Sequence, residues 1–186
     1  MAGQTPNEAF QNHVDPFREA LQCVTQQRFT LRERARLTTG APYAVALANM
    51  DPVPLKGAFP LRLTVGQIVR IVATDGPADR RGPFQIRTVQ YLYAFSTPRN
   101  QEILSFYWTP EATGDNIVAT PHLHIGPALT VGQTALRPGD LHKAHVPTGH
   151  IPIEAVVRLA ITEFEVEPLR PDWAEILRRT HDAIIQ

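Results

Sequence analysis

Apolar positions along the chain keep two different spacings, and the change from one to the other organises it. Behind Asp15-Pro16, an N-cap followed by proline at the first helical position, Phe17, Ala20, Leu21 and Val24 keep helical spacing. That pattern predicts a helix from Asp15 to Gln27. Residues 1 to 14 are polar and are expected to be loosely ordered. RFTLRERARL (28–37) then alternates, with Phe29, Leu31, Ala35 and Leu37 against Arg28, Thr30, Arg32, Arg34 and Arg36. This reads as a half-buried strand with an arginine-rich outer face. YAVALANM suggests another strand, and the proline-rich DPVPLKGAFP a loop. VGQIVRIVA (65–73), FQIRTVQYLYAF (84–95) and EILSFYWTP (102–110) read as strands, the last two as an antiparallel hairpin turning at STPRNQ. TDGPADRRGP is an exposed loop, PHLHIG a short strand, and residues 126 to 150 mostly loop.

Helical spacing returns with Ile153, Val156, Val157, Ala160, Ile161 and Phe164, one apolar stripe behind Pro152. Pro171, Asp172 and Glu175 open a second helix carrying Trp173, Ile176, Leu177 and Ile184 on one face. Strands in succession, flanked by helices, predict an α+β fold. The expectation is a single domain over 1–186: an antiparallel β-sheet packed against an N-terminal helix and two C-terminal helices. Residues 15 to 63 could form an extra N-terminal layer.

Composition narrows the function classes. With 43% hydrophobic and 19% charged residues the chain belongs with folded globular proteins. Net charge is zero, which speaks against a protein that grips nucleic acid through a broad basic surface. Lys56 and Lys143 are the two lysines among eighteen basic residues, so arginine dominates. Cys23 is the lone cysteine, so neither an intrachain disulfide nor a cysteine zinc site can form. No signal-like segment and no membrane-length apolar run is visible, and a cytoplasmic location without membrane association is expected. No Walker motif, GxSxG elbow or dinucleotide fingerprint occurs.

The chemistry-bearing residues are histidines. Five of seven fall between His122 and His150: His122, His124, His142, His145 and His150. On a strand His122 and His124 project from one face. Three readings follow. A third nitrogen from His142, His145 or His150 would complete a catalytic zinc site, with His122, His124 and His150 as the alternative ligand set and zinc as the cofactor. Asp140 or Glu102 could approach such a site. Without any cofactor, His124 and His122 could run acid/base chemistry on RNA or another phosphodiester. Arg87, Arg99 or Lys143 would then hold phosphate, and Tyr91, Tyr93 and Tyr107 would offer stacking surfaces. In the third, Tyr91, Tyr93, Phe106 and Trp108 fill the core, the histidines cover a sheet surface, and the chain is a non-catalytic binding partner.

The succession VQYLYAF, EILSFYWTP, TPHLHIG and HVPTGHIPIEAVVRLAI, within residues 89 to 164, resembles the TumE-like family of small prokaryotic toxin-antitoxin proteins. The shared features are a Tyr-x-Tyr strand, an aromatic strand ending near Trp, a Pro-His-x-His strand and a closing helix. The resemblance implies the compact α+β fold of small bacterial ribonuclease toxins. It also implies catalytic roles for Tyr91, Tyr93, His122 and His124, and, as partners, RNA or a protein encoded by a neighbouring gene. Oligomeric state is not legible.

Overall fold

The computed structural model describes residues 2–32, 37–74, 82–110, 118–129 and 145–185. Strands β1 to β9 are Ala2–Gly3, Phe29–Arg32, Pro42–Leu47, Val53–Pro54, Arg62–Ala73, Phe84–Ser96, Glu102–Trp108, His122–Ile125 and His145–Pro147. Helix α1 spans Pro6–Leu21, α2 Ile153–Thr162 and α3 Trp173–Ile185. The strands form one antiparallel sheet in the order β2-β3-β5-β6-β7-β8-β9, with β1 added to β6 and β4 to β5. The predicted α+β architecture is present: a sheet with an N-terminal helix and two C-terminal ones. Among the described residues no helix is long and apolar enough to cross a membrane.

Helix α1 begins at Pro6, well before the predicted Asp15, and most of the segment expected to be loose is helical. Thr5 is the true N-cap: its Oγ1 accepts from the Glu8 amide at 3.1 Å, and the Glu8 carboxylate accepts from the Gln4 amide at 2.8 Å. The pair resembles a capping box, with the Glu8 carboxylate reaching the amide one residue before the N-cap. Pro16 sits inside the helix, where it costs a backbone hydrogen bond. Burial of Phe10, Val14, Phe17 and Leu21 on one stripe offsets that loss. The helix stops at Leu21, short of Gln27. Strand β2 confirms the start of the arginine-rich segment and lies at one end of the sheet, while residues 33–36 fall outside the described residues.

The β6–β7 hairpin forms as predicted, closing through Thr97–Gln101 with Asn100 at φ 59°. One face of the sheet meets the helices. Tyr91, Tyr93 and Phe95 of β6 are buried there with Phe10 and Phe17 of α1, Val156 and Val157 of α2, and Leu177 of α3. Residues that alternate with them point away from the helices.

Candidate functional site

The register of three strands decides which histidines meet. Tyr107 of β7 lies opposite His122, Ser105 opposite His124, and His124 opposite His145 of β9. Cross-strand partners share a face. The same ladder places Leu92 opposite Tyr107, so this face alternates with the Tyr91 and Tyr93 side and points away from the helices.

Three imidazoles gather there. The His145 ring centroid is 4.9 Å from that of His122 and 5.6 Å from that of His124. Nδ1 of His122 lies 2.8 Å from the carbonyl oxygen of Thr120, and Nδ1 of His124 meets the Glu102 carboxylate. A carbonyl or a carboxylate can only accept, so both rings carry a proton on Nδ1. In the neutral form the lone pair is then on Nε2. His122 is buried, with Tyr107 edge-on at 5.6 Å, while His145 is exposed. Desolvation, and then the neighbouring His122 and His124, lower the His145 pKa, which keeps that ring neutral near pH 7.

A bulge delivers Glu102. Phe95 pairs with Leu104 and Ser96 with Glu102, so Ile103 is an extra residue in β7. Without it Glu102, three residues before Ser105, would point to the helices; the bulge returns it to the histidine face. Gly126 pins the crossing: its amide donates to Ile103 at 2.8 Å, and a Cβ there would fall 2.2 Å from the Glu102 carbonyl oxygen.

Other candidates sit elsewhere. Tyr91 and Tyr93 are core residues on the opposite face, 2% and 0% exposed, with their rings stacked at 5.0 Å. The Tyr91 hydroxyl accepts from the Ile151 amide at 3.3 Å, and the Tyr93 hydroxyl accepts from the Gln67 side chain. Burial raises both phenols above their usual range. Neither can touch a substrate at the histidines. His150 packs on Trp108 at 4.3 Å and near Tyr91, not in the cluster, so His145 replaces it as the third histidine. Arg87 is opposite Arg70, five residues along β6 from Leu92, or roughly 17 Å by strand rise. It does not reach the cluster. Asp140, His142 and Lys143 lie outside the described residues.

Two histidines with no sequence-level role have partners. His13 Nε2 donates to Gln67 Oε1 at 2.9 Å, and His181 Nδ1 donates to the buried Glu154 at 2.7 Å. Cys23 is buried, and desolvation pushes its thiol up to about 11, which leaves it inert as a nucleophile. Among the described residues no three donors are placed to hold a metal ion.

No family model, curated protein or solved structure matches the chain.

Proposed function

We propose that the protein is a metal-independent phosphodiester-cleaving enzyme acting on RNA, with His145 and His124 as its acid/base pair. The observation that carries this reading is the placing of His145 opposite His124, whose ring is held by Glu102. One imidazole is kept neutral, and the other donates its Nδ1 proton to a carboxylate. RNA suits such a pair because it supplies its own nucleophile. His145 takes the proton of the 2′-hydroxyl as the O2′–P bond forms. The P–O5′ bond breaks, and protonated His124 gives its proton to the leaving oxygen. The products are a 2′,3′-cyclic phosphate and a 5′-hydroxyl end. His122, buried and bonded to Thr120, supports the His145 ring. The likeness to the TumE-like toxins points the same way, and a toxin-antitoxin role in the cytoplasm is part of the proposal.

The test is cleavage of mixed-sequence RNA, with mass spectrometry of the termini. Removing either member of an acid/base pair lowers such rates by about 10²–10⁴-fold. His124→Ala and His145→Ala should each do so while circular dichroism stays unchanged. Because the His145 base is lowered, the acid limb of the rate profile should lie below pH 6.5. Equal cleavage by wild type and both variants would overturn the reading. No cleavage by the wild type would leave a binding partner as the remaining class. Zinc that copurifies stoichiometrically and is lost in His122→Ala/His124→Ala would favour the hydrolase alternative instead.

A further inference from the structure

A strained turn stands over the same sheet face. Ala48, Asn49 and Met50 follow β3 with φ of 45°, 56° and 73°. Three successive non-glycine residues in the left-handed region are costly and persist only where the surroundings hold them. What holds this turn is visible. Met50 lies against Gly66 of β5, where a Cβ would fall 2.0 Å from its sulfur. Glycine at 66 thus lets the turn close onto the sheet.

Beside this contact is a cavity of about 210 Å³, lined by Ala44, Ala46, Met50, Gly66, Gln90 and Leu92 among others. It is smaller than the ~300–1,000 Å³ of drug-sized clefts. Its base is low where Ala44 and Ala46 project little from the pleat, while Ile68 rises between Ala44 and Gln90 and Met50 covers Gly66. The Met50 thioether, the aliphatic side chains of Ile68 and Leu92, and the Gln90 amide, which can both donate and accept, line the same cavity. Those features suit one planar heteroaromatic ring better than a flexible chain. The cavity is also in line with the histidines. Gly66, Leu92, Tyr107 and His122 are successive cross-strand partners. At ~4.8 Å per strand, Gly66 is about 14 Å from His122, a span that an extended di- or trinucleotide bridges.

We infer that the trough between the Ala48–Met50 turn and Leu92 is a nucleobase subsite, seating a base of the RNA whose backbone is cut at the histidines. This rests on the RNA-cleaving reading above. The turn is strained because it serves as the wall of that subsite.

The experiment measures binding and cleavage separately. Binding is followed by fluorescence anisotropy with short 2′-O-methyl oligoribonucleotides, which lack the internal nucleophile and cannot be cut. Ala46→Phe fills the trough, and Met50→Gly removes its wall while relaxing a left-handed residue. Both should weaken binding by about tenfold or more, the lower range for one stacked base. In cleavage they should raise KM and leave kcat within about twofold. Met50→Gly relieves a left-handed residue but loses the packing on Gly66 that holds the turn, so Tm is read beside binding, and Ala46→Phe, which leaves that contact in place, must lose affinity as well for the subsite to stand. If both variants bind as wild type does, the subsite is overturned even if the histidines cut RNA. If wild type binds without cutting and both variants lose binding, the subsite stands and the catalytic reading falls. If wild type neither binds nor cuts, both fall.

Discussion

The two faces of this sheet treat histidine in opposite ways. On the helix face His13 of α1 is sealed against the sheet, its Nε2 spent on Gln67, whose amide in turn donates to Tyr93. Burial there drives its pKa down to about 4. On the other face His122, His124 and His145 stand within ring-contact distance of one another, and a carboxylate reaches in beside them. A histidine with a single amide partner in a dry core is a packing residue with a polar tip. Histidines that share a face with a carboxylate can exchange protons with something else. Residue type is the same; the neighbours decide.

The largest expected effect breaks the comparison at the histidine face. His124→Ala should cost about 10²–10⁴-fold in RNA cleavage while Tm moves by only a few degrees, since the ring is part-exposed. Glu102→Gln keeps the shape but removes the charge, and should cost less, with the loss confined to kcat.

Next comes the sealed face, where the effect is on stability and depends on pH. The folded His13 pKa of about 4 lies below its unfolded value near 6.5. Between those values the unfolded chain binds more protons, so stability rises with pH across the window. It should be intact above pH 6.5 and fall by about 3 kcal/mol as pH drops to 4. Urea titrations at both ends of the window would check this. His13→Gln should flatten that slope, whereas His124→Ala should leave it in place.

The smallest effect sharpens the assignment of the tyrosines. Tyr93→Phe deletes the acceptor of the Gln67 amide and should destabilise by about 1–3 kcal/mol, read from the same titrations. Cleavage should be unaffected, because Tyr93 faces the helices. A catalytic Tyr93 would give the reverse.

How much of this was legible depended on how local the signal was. The β6–β7 hairpin and the α2 stripe of Ile153, Val156, Val157 and Ala160 were readable because alternation and helical period are local properties. The start of α1 was misread because Asp15-Pro16 imitates a helix start. The same signal stands at Thr5-Pro6, and Phe10 and Val14 extend the buried stripe behind it. The pairing of His122 with His124 followed from period two. The choice of His145 over His150 did not, because it depends on the β8–β9 register across a long connection. Tyr91 and Tyr93 were credibly catalytic until register placed Tyr107, not Tyr91, opposite His122. Glu102 was the hardest: one extra residue, Ile103, reverses its direction, and nothing in the residue pattern announces that bulge.

One half of the proposed acid/base pair stands on the outermost of the described strands. Strand β9 is three residues long, exposed along its length, and among the described residues pairs with β8 alone. Elements so thinly attached open at a fraction of the free energy that unfolds the whole molecule. The proposed catalytic pair can therefore be dismantled by fraying, with the core under the helices untouched. On heating, cleavage should fade before the near-ultraviolet signal of the buried tyrosines does. In hydrogen exchange, the amides of residues 145–147 should lose protection ahead of β5 and β6.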